Sequence, residues 1–135
     1  MMRKQKKDLF FDEKVLEKVM FERDGYLVDV ILQNFFTKAV LFGASMRRED
    51  LQETIEKSMV VLWSKSRRIK WIKGEVSGNY LEVVEIILNC EENQLLMKVI
   101  PRGRGVCHTT DKRGRHRRTC FYKAFYSKKN FLKTE

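Results

Sequence analysis

Tyr80-Leu81-Glu82-Val83-Val84-Glu85-Ile86-Ile87-Leu88-Asn89-Cys90 is the stretch that decides the fold class. Its β-branched residues follow one another with no helical spacing, so residues 80–88 read as the longest strand of the chain. It ends in the turn-forming residues Asn89-Cys90-Glu91-Glu92-Asn93. Another strand is expected over 94–100, then a loop over 101–105 and a short strand end over 106–109. Working towards the N-terminus, 69–73 and 59–64 read as strands. Residues 26–32 and 39–43 read as a hairpin closed by Gln33-Asn34-Phe35-Phe36-Thr37. A last strand is expected over 120–126.

Two helices complete the pattern. Val15, Leu16, Val19 and Met20 recur at helical spacing within 11–23, and Asp24-Gly25 ends that segment. Residues 48–57 carry Leu51, Thr54 and Ile55 on one face. The sum is an α+β fold, mainly β, with six or seven strands in a mixed or antiparallel sheet and two short helices. At 135 residues the chain has the length of one domain, 1–135. Within it, residues 1–25 form a basic segment and helix ahead of a 26–125 core, and 127–135 form a basic tail. No apolar run approaches the ~20 residues needed to cross a bilayer, and no apolar stretch follows the basic Met1–Lys7 segment as a signal peptide would require. A cytoplasmic protein without membrane partners is expected.

The charge is concentrated. Of 28 Lys and Arg, twelve lie in 98–135 against two acids, so that segment carries the entire net charge of +10. Such a field suits a polyanionic partner, either nucleic acid or a phosphorylated small molecule. A solubilising tail is the alternative reading. Three cysteines, Cys90, Cys107 and Cys120, are too few and too scattered for a disulfide framework or a C-x-x-C zinc knuckle. On spacing alone they read as core residues.

Three segments carry chemistry. Trp63-Ser64-Lys65-Ser66-Arg67-Arg68 and Trp71-Ile72-Lys73-Gly74-Glu75-Val76-Ser77-Gly78 alternate hydroxyls and cations, which suits phosphate oxygens, with indole rings available to stack a base. A solvated basic hairpin is the alternative. Asn89, Glu91 and Asn93 offer oxygen donors at alternate positions, as Mg²⁺ would need; an acidic turn is the plainer reading. Cys107-His108-Thr109 sets soft ligands beside a general base, with Cys120 returning later in the chain.

Taken in order, these motifs resemble phosphoribosyl-AMP cyclohydrolase, an enzyme family of histidine biosynthesis, over about residues 26–125. The resemblance rests on Trp63-Ser64-x-Ser66-Arg67, Trp71-x-Lys73-Gly74-Glu75-x-Ser77-Gly78, Cys107-His108-Thr109 and Cys120-Phe121-Tyr122. It implies a mainly β pseudo-barrel in an intertwined homodimer, with active sites at the subunit interface. It implies Zn²⁺ held by Cys90, Cys107 and Cys120 contributed across that interface, and His108 beside the reacting water. It implies a phosphorylated nucleotide substrate met by Trp63, Ser64, Lys65, Ser66, Arg67, Trp71, Lys73, Glu75 and Ser77. The reaction is the hydrolytic opening of the purine between N1 and C6.

The departures bear on the metals and on one loop. The family's D-C-D-x-D run is Asn89-Cys90-Glu91-x-Asn93 here, which removes charge from the Mg²⁺ ligands. Lys65 stands in place of an arginine and loses a bidentate contact. Twelve residues separate Cys107 from Cys120, against about six in the family, and the extra segment, Asp111–Arg118, carries +4. Anchored between two expected zinc ligands, it reads as a lid over the site. A zinc-binding homologue that takes nucleic acid or another polyanion on this loop is the alternative.

Overall fold

The computed structural model describes residues 9–21 and 26–128. Strands β1 (Leu27–Asn34), β2 (Val40–Arg47), β3 (Val61–Ser64), β4 (Ile69–Ile72), β5 (Leu81–Leu88) and β6 (Gln94–Pro101) form one sheet of order β4-β3-β2-β1-β6-β5. Helix α1 spans Glu13–Glu17 and α2 spans Arg48–Lys57. All neighbours are antiparallel except β1 and β6, which run parallel. The sheet is a half-barrel. Val60 donates its N–H to Leu81 O (3.0 Å) and Val83 donates to Ser58 O (2.8 Å), so the lead-in to β3 pairs with the edge strand β5. The expected pseudo-barrel is therefore met in part.

Period-two burial builds the core. Val28, Val30 and Leu32 of β1 face Leu95, Met97 and Val99 of β6, and all six are buried. Helix α2 closes one side with Leu51 and with Thr54, whose hydroxyl accepts the Val61 N–H at 2.9 Å. At the start of α2, Asp50 is fully buried; its carboxylate accepts the Arg47 backbone N–H at 2.9 Å and both ends of the Arg47 guanidinium at 3.0 and 2.9 Å. The β1–β2 turn is held by Asn34 Oδ1, which accepts N–H groups from Phe36 and Thr37 at 2.8 and 3.0 Å.

Three expectations are corrected. The first helix is five residues, not the span 11–23: Asp12 caps it, and Met20 leaves to donate to Glu92 O at 2.7 Å (residues 22–25 lie outside the described residues). Residues 106–109 turn instead of extending, because Cys107 Sγ accepts the Thr109 N–H at 3.4 Å. Residues 120–126 are not a strand. Cys120 donates once, to Leu41 O at 2.8 Å, and the chain beyond it leaves Phe121, Phe125 and Tyr126 exposed. The expected basic N-terminus and most of the tail lie outside the described residues.

Candidate active site

Two of the three cysteines meet. Cys107 is buried and Cys120 half-buried, at the end of the sheet where β6 finishes and β2 and β5 begin. The pair is positioned by Arg117, whose carbonyl accepts the N–H groups of both Val106 and Cys107 at 2.8 Å. Thr109 Oγ1 lies 2.9 Å from Cys107 Sγ, and the Arg117 guanidinium donates to that same hydroxyl at 3.0 Å. Burial opposes ionisation of Cys107. Hydrogen bonds from Thr109 and Cys120, with the positive charge of Arg117, outweigh it and hold this thiol below the ordinary cysteine range. Burial, then the adjacent Cys107, push Cys120 up to about 11. The two thiols thus titrate as a pair, one acidic and one reluctant.

Lys73 lies beneath them. Its side chain is buried and donates to Asn79 O at 3.4 Å; desolvation lowers its pKa, while the two thiols act to raise it. Its amine is therefore an internal group beside the thiols and not a surface one.

Cys90 is exposed and stands beyond the other end of β5. Eight strand residues separate it from the thiol pair, roughly 23 Å of extended chain. Among the described residues of one chain, no three acidic, histidine or cysteine groups converge as a metal site would require. The nearby amides are engaged with each other. Asn89 Oδ1 accepts N–H groups from Asn93 and Gln94 at 2.9 Å, and Asn89 Nδ2 donates to Asn93 Oδ1 at 2.8 Å. That leaves the Glu91 carboxylate as the one uncommitted oxygen donor of the three, a poor match to the six oxygens of Mg²⁺.

The expected phosphate cluster divides in two. Trp63, Ser64, Lys65 and Trp71 line a groove of about 510 Å³ on the Cys90 side, with Asp29 and Ser45. There Arg47 stacks 4.1 Å from the Trp63 ring centre and Lys65 reaches Asp29 at 4.0 Å. Ser66 and Arg67 form the exposed β3–β4 turn, in which Ser64 Oγ accepts the Arg67 N–H at 3.2 Å. Glu75 is exposed and lines neither cavity. Ser77 belongs to a second cavity of about 950 Å³ on the thiol side, walled by Arg102, Arg104 and Arg115. His108 is exposed next to Cys107. Thr109 and Arg117 entered the sequence reading only as members of the Cys-His-Thr motif and of the basic segment 111–118, and the positioning roles of Thr109, Arg117 and Asn79 appear first in the structure.

In chemical class this is a β-sheet protein with a paired-thiol site, one thiol acidic, set against an arginine-walled cavity. Comparison with known proteins gives the class a family. The family profile for phosphoribosyl-AMP cyclohydrolase matches residues 42–122. The phosphoribosyl-AMP cyclohydrolase of Ralstonia pickettii (strain 12J) is 43% identical over 113 residues, covering 84% of this chain and 76% of the relative. That of Ralstonia nicotianae is 44% identical over 112 residues (83% and 75%), and that of Chlorobium chlorochromatii 40% over 111 residues (82% and 75%). The chain belongs to the phosphoribosyl-AMP cyclohydrolase family, hydrolases of histidine biosynthesis that act on a cyclic amidine. Among the described residues no helix is long and apolar enough to cross a membrane.

Proposed function

We propose that this chain hydrolyses phosphoribosyl-AMP between N1 and C6, as a zinc-dependent homodimer whose sites each draw on two copies. The observation that carries the reading is the thiol pair. Cys107 is held acidic by Thr109 and Arg117, as a thiolate ligand must be, and Cys120 stands beside it. Two thiols do not complete a zinc site, and Cys90 is too distant within one chain to be the third. A second copy related by a two-fold axis would supply it. The exposed Phe121, Tyr122, Phe125 and Tyr126 are apolar surface of the kind that a partner covers. Two-fold pairing would also bring the Trp63–Lys65 groove, which shares the Cys90 end, to the thiol end of the partner.

The donor set fits Zn²⁺, which when bound supplies a Lewis acid that makes water more acidic. Three thiolates donate much charge and leave that acidity modest, so a protein base is required. His108, exposed beside Cys107, takes the proton as water attacks C6. The C6–N1 bond breaks, N1 receives a proton, and C6, which keeps its exocyclic nitrogen, becomes a carboxamide carbon. The buried Lys73 amine lies next to both thiols, whose charge acts to raise its pKa against the larger effect of burial, and when protonated it would stabilise the anionic ligand set. Trp63 and Trp71 give the purine an aromatic wall. No step is assigned to Mg²⁺, because the Asn89–Asn93 turn uses its own amide oxygens.

The test is a spectrophotometric turnover assay with phosphoribosyl-AMP on zinc-loaded protein, wild type against His108→Ala and Cys107→Ser. Turnover in the wild type, cut at least a hundredfold in each variant, is expected. A folded, zinc-loaded wild type without turnover would sink the reading.

A further inference from the structure

The extra segment between Cys107 and Cys120 is not an open loop. Asp111 folds it into a hairpin: its carboxylate accepts the N–H groups of Arg113 and Arg115 at 2.9 and 3.0 Å and the Arg115 Nε at 3.2 Å. Thr110 and His116 pair across the stem, and His116 Nδ1 lies 3.0 Å from Cys107 O. Opposite the hairpin runs the loop after β6. Arg104 donates its backbone N–H to the buried Asn79 Oδ1 at 3.0 Å. Gly103 permits that approach, since a Cβ there would fall 2.6 Å from Asn79 Cα. These two walls, with Ser77, line an open cavity of about 950 Å³.

Its lining is chemically one-sided: three arginines, one histidine, one asparagine amide, one serine hydroxyl and no carboxylate. Glu82 engages Arg102 and Asp111 engages Arg115, which holds both guanidinium groups in place. Arg104 has no carboxylate partner among the described residues, so its charge is uncommitted. Planar guanidinium groups lining one open cavity are complementary to phosphate oxygens, which they bind bidentately. The other groove, by contrast, sets Asp29 against Lys65.

We propose that the hairpin Asp111–Arg118 and the loop after β6 together build a phosphate-monoester site, which takes one of the two phosphates of the substrate. The substrate half of this inference rests on the function proposed above. The cavity shares its walls with the thiol site, through His116 on Cys107 and through Asn79, which bonds both Lys73 and Arg104. Phosphoribosyl-AMP carries a phosphate on each of two riboses, so a molecule with its purine near Cys107 has a phosphate within reach of such a cavity. The segment is then a fixed wall of the site and not a lid.

Calorimetric titration of the full-length protein with ribose 5-phosphate, and with ribose as control, tests the phosphate. Binding of the phosphate ester alone, weakened at least tenfold by Arg104→Gln and partly restored by Arg104→Lys, is expected. Arg115→Gln serves as a second variant, and circular dichroism establishes that each is folded. Turnover tests the substrate: Arg104→Gln should raise KM for phosphoribosyl-AMP about tenfold and leave kcat within twofold. Equal binding by wild type and both folded variants would overturn the proposal, as would ester binding with unchanged KM, which describes a separate anion site. Tight, steeply salt-dependent binding of an oligonucleotide, lost in Arg104→Gln with KM unchanged, would assign the cavity to nucleic acid instead. If the wild type shows no turnover, the proposed reaction fails, and the ribose 5-phosphate titration still decides the phosphate site.

Discussion

Gly105 packs so tightly against His116 that a Cβ on the glycine would sit 2.6 Å from the histidine Cβ. The loop that delivers Cys107 and the hairpin that follows it are therefore seated on one another, and no side chain larger than hydrogen fits between them. Gly105→Ala should force the hairpin away and destabilise the fold by about 1–3 kcal/mol. It should also raise KM, since the cavity wall moves. Gly114 provides the contrast. It adopts φ +77° with open space where its Cβ would point. Gly114→Ala should cost only backbone strain, about 1 kcal/mol. Urea melts of the two variants compare these costs directly, and equal losses would contradict the packing argument.

A second prediction concerns Asp50, the buried carboxylate that takes three hydrogen bonds from Arg47. Asp50→Ala removes the first-turn partner of α2 and leaves Arg47 only the longer Glu49 contact at 3.5 Å and the Trp63 ring. A loss of about 3 kcal/mol is expected. Asp50→Asn keeps an acceptor for the backbone N–H and should lose roughly half of that. Arg47 also rests on Trp63, so the groove beside it should loosen, visible as a changed tryptophan fluorescence in the folded variants. A change in denaturation midpoint without a change in slope is the signature to look for.

How much was legible depended on where each feature's causes lie along the chain. Helix Arg48–Lys57 and strands β4, β5 and β6 were readable because their periodicity and their ends are local. The run Cys120–Tyr126 has the composition of a strand, yet strand character needs a partner edge, and here the chain makes a single backbone bond to Leu41. Lys73 looked like a surface cation because its neighbours are glycine, glutamate and serine. Its burial follows from two distant choices, the Val60 carbonyl that takes its N–H at 3.2 Å and the Asn79 carbonyl that takes its ammonium. The cavity was invisible for the same reason, since Asn79 and Arg104 meet across 25 positions of sequence. The cysteines were legible as a set only through the family resemblance.

The thiol pair gives a pH prediction for the metal-free protein. Cys107, depressed below its ordinary value, contributes stability that is present above the unfolded cysteine pKa and lost as pH falls through the folded one. Cys120, raised to about 11, has the opposite sign: its contribution is intact below the unfolded value and is lost as pH rises towards about 11. Thiolate absorbance of a Cys90→Ser variant, followed against pH without metal, should rise in two separated steps. The upper one should vanish in Cys90→Ser/Cys120→Ser. A single step at the ordinary cysteine value would show that the two thiols do not interact.

The last prediction addresses the shared site itself. If zinc takes Cys107 and Cys120 from one copy and Cys90 from another, then Cys90→Ser and Cys107→Ser should each abolish tight zinc binding when purified alone. A mixed dimer of the two variants has one site with both lesions and one site with none. Co-refolding equal amounts makes half of the dimers mixed, so about a quarter of the wild-type zinc, and of its turnover, should return. Both quantities are measured on the same sample, by metal analysis and by the phosphoribosyl-AMP assay, with light scattering to give the mass. No recovery in a sample shown to contain mixed dimers would mean that the three thiols do not share one ion across two chains. Full zinc binding by Cys90→Ser alone would place the ion on the Cys107–Cys120 pair without help from the partner.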